Sequence, residues 1–261
     1  MVRSMTEKPK EETDFGFRRV AVEDKAPMVA QVFDQVADRY DVMNDVMSVG
    51  VHRLWKRALV NTLRPRLDMH LLDVAGGTGD IAFRFLERAR RHGERWGTPQ
   101  VTLCDINASM LFRGRDRMID RGEMDTAAWV CGDAERLPFP NSSVDAITIA
   151  FGIRNVTAID VALGEMRRVL RPGGQFLCLE FSRLILPGLE KLYDTYSFQV
   201  IPALGQWIAN DRDAYAYLVE SIRCFPDQET FAQMITDAGL AQVKVRNLSG
   251  GVAAIHSAWR T

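Results

Sequence analysis

A glycine-rich bend follows a short apolar run in the stretch LLDVAGGTGD, residues 71–80. Asp73 lies in the apolar run, and Gly77 and Gly79 lie in the bend. Glycines let a ligand approach the backbone closely, and such a loop could hold a phosphate, a dinucleotide or S-adenosylmethionine (SAM). The P-loop pattern G-x-x-x-x-G-K-[ST] does not occur in the sequence, which excludes a phosphate site of that kind.

The spacing of the glycines and acids only partly distinguishes the two remaining ligands, a dinucleotide and SAM. Residues 77–82 fit the dinucleotide pattern G-x-G-x-x-A, and Asp105 ends the next β-like run, where it could accept from the ribose hydroxyls of either ligand. Residues 73–79 also fit D-x-[GA]-x-G-x-G. The carboxylates of Asp73 and Asp80 would repel a pyrophosphate, whereas Asp73 suits the ammonium of SAM.

A third acidic position strengthens the SAM interpretation. Asp133 lies in GDAERLPFP, residues 132–140, after another β-like run, and could accept from an adenine amino group. The stretch RVLRPGG, residues 168–174, also favours a methyltransferase over a dehydrogenase. The alternative is structural: the glycines only turn the chain, and Asp73 and Asp105 cap helices.

The elements that must position these residues alternate in type. β-like runs span residues 70–75, 100–106, 127–134, 144–152 and 175–182, and helical patterns span 80–91, 108–122 and 158–170. This alternation predicts an α/β fold, a mostly parallel sheet with helices on both faces. Two further β-like runs in 241–259 predict an antiparallel ending. A ligand is expected at the carboxyl ends of the parallel strands.

Helical segments are expected outside this core. Residues 1–26 are predicted to be a flexible tail whose end can pack, a helix follows Pro27, and a second helix spans His52–Leu63. The first of these carries apolar and aromatic residues at helical spacing, namely Val29, Val32, Phe33, Val36 and Tyr40. Residues 186–239 are helical and apolar, and are predicted to be an insertion that covers a sheet edge.

Composition excludes several classes of protein. The 33 Lys and Arg nearly balance the 34 Asp and Glu, which argues against a basic nucleic-acid-binding protein. No apolar run is long enough to span a membrane, and the N-terminal stretch resembles no secretory or transit signal, so a cytoplasmic location is expected. The four cysteines lack C-x-x-C spacing, which predicts mostly buried free thiols and no metal site.

Two long stretches carry a specific resemblance. YDVMNDVMSVGVHRLW, residues 40–55, and RVLRPGGQFLCLEFS, residues 168–182, resemble the two signatures of the ubiquinone/menaquinone biosynthesis C-methyltransferases. FGIRNV at 151–156 and the ending NLSGGVAAIHSAW are also similar to that family. The resemblance implies a Class I (Rossmann-like) SAM-dependent methyltransferase domain over residues 27–261, with a seven-stranded sheet, an antiparallel final strand and a helical lid at 27–65.

The resemblance also implies the activity and the cofactor contacts. Its members methylate a ring carbon of a polyprenylated benzoquinol or of a demethylmenaquinol. Thr78 would contact SAM in the glycine loop, Asp105 would hold the ribose, and Asp133 and Ala134 would lie against the adenine. The family often has serine at the end of the fourth strand, where this chain has Ala150, so only a backbone contact is expected there.

Carbon methylation needs a nucleophilic ring carbon held about 3 Å from the methyl group. Loss of a proton from a ring hydroxyl supplies the nucleophilicity, and no metal or covalent nucleophile is required. Arg154 follows an apolar strand and is predicted to stabilise the phenolate, with Asn155 orienting a ring oxygen or a water. The alternative for Arg154 is an ion pair with an acid such as Asp160.

Tyr40 and His52 lie in the N-terminal signature, which the family fold brings over the active site. Either could relay a proton, and either could equally be a satisfied core group. The apolar segment 189–209 suggests a pocket for the quinol and transient contact with a membrane surface or with other quinone-pathway enzymes. The oligomeric state, including a homodimer, stays open.

Three other functions stay open on the sequence alone. They are a SAM methyltransferase with another phenolic or lipid acceptor, a nucleotide-binding or NAD enzyme on a similar sheet, and a catalytically silent scaffold in quinone synthesis. A comparison of SAM binding with NAD binding separates the nucleotide-binding or NAD enzyme from the two SAM methyltransferases, the one that acts on a quinol and the one with another acceptor.

Overall fold

The computed structural model describes residues 12–36, 45, 48, 50–91, 99–122, 124–185 and 212–261. Its first described element is a hairpin of two antiparallel strands, β1 (Glu12–Phe15) and β2 (Arg18–Ala21), joined through Gly16, which has a φ of 59°. Helix α1 (Val22–Val36) follows directly. Residues 12–26 are therefore ordered as a hairpin and the start of a helix, whereas the sequence suggested a flexible tail through residue 26.

Pro27 lies inside α1 and does not precede it. Proline lacks an N–H and usually ends or begins a helix, which explains the expected start after residue 27. The acidic side chains of Glu23 and Asp24 lie in the first turn, where they interact favourably with the helix dipole. Helix α2 spans His52–Leu63, as predicted.

The remaining elements alternate between strands and helices up to β7. Their bounds are β3 (His70–Val74), α3 (Asp80–Arg90), β4 (Gln100–Asp105), α4 (Ala108–Asp120), β5 (Ala127–Cys131), β6 (Val144–Ala150), α5 (Ile159–Val169), β7 (Leu170–Phe181), α6 (Arg212–Cys224), α7 (Gln228–Asp237), β8 (Ala241–Leu248) and β9 (Ala253–Trp259). Short 3-10 turns lie at Met124–Thr126, Ile153–Asn155 and Ser249–Gly251.

Strands β3 to β9 form a seven-stranded sheet in the order β5-β4-β3-β6-β7-β9-β8. The first five strands in this order, β5, β4, β3, β6 and β7, are parallel to one another, and β9 is antiparallel to both β7 and β8. The predicted fold class is confirmed, including the antiparallel final strand. The strand order reverses between β3 and β6, which is where open α/β sheets bind ligands.

Helices cover both faces of this sheet. Alternate residues of β3 enter different apolar clusters: Leu71 packs in a cluster with α1, α2, α3, α4 and α6, and Leu72 packs in a cluster with α5 and α7. Helices α6 and α7 therefore contribute to opposite faces, although the sequence suggested one continuous insertion over residues 186–239. Residues 186–211 of that insertion lie outside the described residues.

The N-terminal hairpin is attached to α6 by three contacts. The backbone N–H of Phe17 donates to Glu220 at 3.1 Å, and the Cys224 thiol donates to the Gly16 carbonyl at 3.0 Å. The rings of Phe15 and Tyr217 stack with centroids 4.2 Å apart. Because α1 continues directly from β2, these contacts also fix where α1 begins.

Three expectations from composition can be compared with the described residues. All four cysteines are free thiols, but Cys131 and Cys224 are exposed, so the prediction of mostly buried thiols holds only for Cys104 and Cys178. Within the described ranges, no helix is both long and apolar enough to cross a bilayer. In the same part of the chain, no group of three or more side chains could hold a metal ion.

Candidate active site

A cavity of about 280 Å³ lies at the carboxyl ends of β3, β4 and β6, at the point where the strand order reverses. Helix α1 forms one wall with six residues: Val22, Glu23, Ala26, Val29, Ala30 and Phe33. The loops after the strands form the other walls, and they include Gly77, Asp105, Asp133, Ala134 and Asn155. The cavity therefore brings together predicted cofactor residues from three different loops and one predicted catalytic residue.

The glycine loop joins β3 to α3 and takes left-handed backbone angles at three positions. The φ angles are 50° at Ala75, 49° at Gly77 and 80° at Gly79, and the last of these residues caps α3. The backbone N–H of Gly77 donates to the Asp105 carboxylate at 2.9 Å. Such angles favour glycine, and the sequence has glycine at two of the three positions.

A glycine on the neighbouring helix holds this loop in place. A Cβ added to Gly114 of α4 would lie 2.8 Å from the carbonyl oxygen of Gly77 and 3.3 Å from the backbone carbon of Thr78. The helix can therefore approach the loop only because residue 114 has no side chain. Sequence reasoning missed Gly114, although an isolated glycine inside a helical pattern indicates such close packing.

Asp105 ends β4 and connects three parts of the site. Its carboxylate accepts from the N–H groups of Gly77 and Asn107, each at 2.9 Å. Burial raises the pKa of Asp105 to about 6, against these backbone donors. The side chain of Asn107 caps α4 and donates to Asp34 of α1 at 2.9 Å. The carboxylate lines the cavity, so a diol bound there could donate to it.

Asp133 and Ala134 lie in the loop after β5. The Asp133 carboxylate accepts from the N–H of Glu135 at 2.9 Å, and the Glu135 carboxylate accepts from the N–H groups of Thr157 and Ala158. This turn connects the β5 loop to the loop after β6. The structure thus places Asp133 and Ala134 on the cavity wall, and their contact with an adenine stays a prediction.

A second, smaller cavity of about 30 Å³ adjoins the glycine loop, and Ala75 and Gly77 line both cavities. It is lined by the predicted cofactor residues Asp73, Thr78 and Ala150, together with Lys56 and Asp80. The Lys56 ammonium lies 2.8 Å from the Asp80 carboxylate, which Arg84 also contacts at 3.0 Å. Although burial acts in the opposite direction, these two cations lower the pKa of Asp80 to about 2.

Asp73 provides a buried carboxylate oxygen without a partner. Its Oδ1 accepts from the Thr148 hydroxyl at 2.7 Å, whereas no described residue donates to its Oδ2. Burial raises the pKa of Asp73 to about 7, although Thr148 and Lys56 oppose the rise. An unpaired carboxylate oxygen beside Lys56 fits the ammonium and carboxylate of an α-amino acid, which is the methionine end of SAM.

Arg154 lies in the 3-10 turn after β6, but it lines neither cavity. Its guanidinium is buried, 2.7 Å from Glu180 of β7, and donates to the Phe151 carbonyl at 2.6 Å. The acid that pairs with it is therefore Glu180 and not Asp160. Because the charge of Arg154 is already neutralised away from the cavity, its predicted contact with a phenolate has no support in this conformation and stays a prediction.

The other predicted catalytic residues differ in position. Asn155 lines the larger cavity, and its side-chain oxygen accepts from the Tyr217 hydroxyl at 2.9 Å. His52 is buried and lines neither cavity; its Nε2 contacts Asp45 at 2.9 Å, whereas its Nδ1 has no partner among the described residues, so it is a core group that is only half satisfied. Burial and the charge of Lys56 lower the pKa of His52, so the neutral form is favoured. Tyr40 lies outside the described residues.

The family comparison covers nearly the whole chain. The model of the ubiE/COQ5 methyltransferase family matches residues 19–260. A protein of Paracoccus denitrificans (strain Pd 1222), named ubiquinone/menaquinone biosynthesis C-methyltransferase UbiE, is 60% identical over 256 residues, which cover 98% of this chain and 100% of that protein. The protein of the same name from Caulobacter vibrioides (strain NA1000 / CB15N) is 55% identical over 94% of this chain and 96% of its own.

Solved structures support the fold. A SAM-dependent methyltransferase of Thermotoga maritima, described as a possible histamine N-methyltransferase, superposes with a TM-score of 0.60 at 18% identity, covering 88% of this chain and 99% of that one. A SAM-dependent methyltransferase of Aquifex aeolicus gives a TM-score of 0.58 at 16% identity, over 84% and 97% of the two chains. With the family match over residues 19–260, the resemblance seen in the sequence is confirmed: the chain belongs to the ubiE/COQ5 methyltransferase family.

Proposed function

We propose that this protein transfers the methyl group of SAM to a ring carbon of a polyprenylated benzoquinol, a demethylmenaquinol, or both. The names of the relatives at 54–60% identity support the substrate class. The observation that carries the proposal is the pair of cavities that meet at the glycine loop. One offers Asp73 and Lys56 to a zwitterion, and the other has Asp105 at its wall and a largely apolar helix opposite.

Each part of SAM then has residues to hold it. The unpaired Oδ2 of Asp73 accepts from the ammonium, and Lys56 keeps donors for the carboxylate beside its bond to Asp80. Asp105 accepts from the ribose hydroxyls, and Asp133 and Ala134 lie against the adenine. When bound, SAM supplies a sulfonium methyl group, which is already a strong electrophile.

The chain must then hold the acceptor and exclude water. Val29 and Phe33 of α1 present apolar side chains to the cavity, so the quinol ring can lie in a dry environment. Asn155 offers a polar group to a ring oxygen from the opposite wall. We propose that α1 and α2 act as the lid of the methyltransferase domain, which includes the part of α1 before residue 27 because Val22, Glu23 and Ala26 line the cavity. This chemistry uses no metal.

Calorimetry and a quinone profile test this proposal. The full-length protein is expected to bind SAM and S-adenosylhomocysteine and not NAD, and binding of NAD alone would overturn it. Cells without the protein should accumulate the unmethylated quinol precursor, and the profile should show whether the ubiquinone branch, the menaquinone branch or both depend on it. Unchanged quinones would contradict the enzymatic role and favour a scaffold.

The proposal includes transient contact with the inner face of a membrane or with other quinone-pathway enzymes, because a polyprenyl tail is insoluble in water. Flotation with liposomes that carry the substrate should move part of the protein with the lipid. Protein that stays wholly in the aqueous fraction would count against membrane contact. Light scattering at several concentrations tests for a homodimer.

A further inference from the structure

A buried polar contact joins α6 to the turn after β6. Tyr217 is 4% exposed, and its hydroxyl donates to the side-chain oxygen of Asn155 at 2.9 Å. Its ring stacks on Phe15 with centroids 4.2 Å apart and planes 21° from parallel. The phenol is therefore held from two sides, by the stacked ring and by the amide.

The hydroxyl of Tyr217 keeps the proton that it donates to Asn155. Burial raises the pKa of Tyr217 to about 12, although the charge of Arg154 opposes the rise. The phenol therefore stays protonated near neutral pH. A buried O–H needs an acceptor, and the side-chain oxygen of Asn155 supplies it.

This contact determines which end of the Asn155 amide is free. Because the oxygen is occupied by Tyr217, the NH₂ group lies on the other branch of the amide. No described residue accepts a hydrogen bond from that nitrogen. Asn155 lines the larger cavity, and we infer that its two N–H donors can reach a molecule bound there.

We propose that Tyr217 is a positioning residue, which fixes the amide of Asn155 so that its N–H groups donate to the ring oxygen of the acceptor. That oxygen becomes negatively charged when the quinol loses its hydroxyl proton, gives up the charge as the ring carbon takes the methyl group and S-adenosylhomocysteine leaves, and is a phenol oxygen again once the methylated carbon has lost its hydrogen as a proton. This inference rests on the proposed function. If the amide turned over, its NH₂ would face the phenol, and the Tyr217 hydroxyl would lose its acceptor. Donors that are oriented before the reaction stabilise developing charge without reorganisation.

The Asn155 amide gives the site a hydrogen-bond donor that carries no charge. Arg154, the neighbouring residue, is already paired with Glu180 and lines neither cavity. The Asn155 amide is therefore the polar group that this turn presents to the acceptor. Tyr217 lies 62 residues further along the chain and acts only through that amide.

A double-mutant cycle tests the inference with the full-length protein, methyl-labelled SAM and a reduced benzoquinol carrying a short isoprenoid chain. The variants are Tyr217→Phe, Asn155→Ala and the double variant. Tyr217→Phe should lower kcat about tenfold and change the KM for the quinol and the Kd for SAM less than about threefold, because it disturbs an interaction made in the transition state. In the Asn155→Ala background the same change should cost less than about twofold.

Ser221→Ala is the matched control. It removes a buried hydroxyl from the same helix, and among the described residues that hydroxyl donates only to the Leu218 carbonyl. It should leave kcat unchanged. If Tyr217→Phe does not fold, Asn155→Asp tests the inference in its place, because this change keeps the acceptor for Tyr217 and removes the N–H donors. A near-normal kcat for Asn155→Asp would overturn the inference.

Equal losses from Tyr217→Phe in both backgrounds would also overturn it, and so would a loss of SAM affinity in place of kcat. These results would leave methyl transfer by the unchanged protein intact, so they are distinct from failure of the proposed function. If the unchanged protein transfers no methyl group to the quinol, both proposals are overturned.

Discussion

Lys56 of α2 and Asp80 of α3 form an ion pair of 2.8 Å at the base of the glycine loop. The lysine side chain is only 6% exposed, and the pair lines the same small cavity as Asp73. A buried cation is stable only with a close anion, so this pair also fixes α2 against the start of α3. The pairing connects the proposed lid to the proposed cofactor site.

Replacement of this lysine is the most direct test of the small cavity. We expect Lys56→Met to raise the Kd for SAM at least about tenfold and to cost about 1–3 kcal/mol of stability, because a charged hydrogen bond is lost. Calorimetry and denaturant unfolding measure the two effects. Arg84→Gln is the control, because Arg84 pairs with the same Asp80 but lines neither cavity. Equal losses of SAM affinity in the two variants would contradict a direct role for Lys56.

Removal of the Asp73 charge should make the ligand-free protein more stable and weaken its binding of SAM. Burial raises the pKa of Asp73 to about 7, above the value of about 3.9 for an unfolded aspartate. Folding therefore favours the protonated form, and this contribution to stability is lost as the pH rises from about 4 to about 7. At pH 8, Asp73→Asn should stabilise the ligand-free protein by about 1–3 kcal/mol and weaken SAM binding at least about tenfold.

Asp80→Asn should change stability in the opposite direction to Asp73→Asn, although both residues line the same cavity. The pKa of Asp80 is lowered to about 2, so its charge stabilises the fold above about pH 4, and its removal leaves Lys56 without its partner. We expect a loss of about 1–3 kcal/mol at pH 8. Chemical denaturation of both variants at pH 8 gives the comparison, and a loss of stability in Asp73→Asn would refute the assignment.

SAM binding should depend on pH. The ammonium and the ribose hydroxyls of SAM both favour ionised carboxylates, whereas Asp73 and Asp105 have pKa values raised to about 7 and about 6. Binding should release protons below pH 7, and the Kd should rise as the pH falls from 8 to 5. Calorimetry in buffers of different ionisation enthalpy measures the released protons. Asp73→Asn should flatten the upper part of this dependence, and an unchanged profile would argue against contact with the ammonium.

Gly114→Ala tests the packing of the loop against α4. Alanine normally stabilises a helix interior by about 1 kcal/mol relative to glycine. Here the new Cβ would lie 2.8 Å from the Gly77 carbonyl, so we expect a net loss of about 1–3 kcal/mol and weaker SAM binding. Gly164→Ala in α5 is the control, because nothing lies within 4 Å of its added Cβ and it should stabilise. Thermal melts with and without SAM compare the two variants.

The order of strands and helices could be predicted because local patterns encode it. The strand before the glycine loop and the helix after it have different residue patterns, and the glycines mark the bend between them. Helix α2 has the predicted bounds of His52–Leu63. The start of α1 was placed too late because Pro27 normally marks a helix end, whereas here the helix continues through it.

The side-chain partners could be predicted less well because they depend on distant parts of the chain. Arg154 pairs with Glu180 on the adjacent strand β7, and the sequence does not indicate which acid reaches it. Tyr217 contacts Asn155 across 62 residues. The sequence does indicate that Lys56 is unusual. It lies on the same helical face as the buried residues Trp55, Leu59 and Val60, where a lysine is rare.

Helix α1 is fastened near both of its ends. Its first residue follows a hairpin that is bonded to α6, and near its other end the Asn107 side chain donates to Asp34 at 2.9 Å and to the Ala30 carbonyl at 3.5 Å. Asp34 is exposed, so we expect this second attachment to open more readily than the hairpin. We therefore expect the residence time of a molecule enclosed beneath α1 to depend on the Asn107 attachment, and a stronger attachment there to slow both entry and departure.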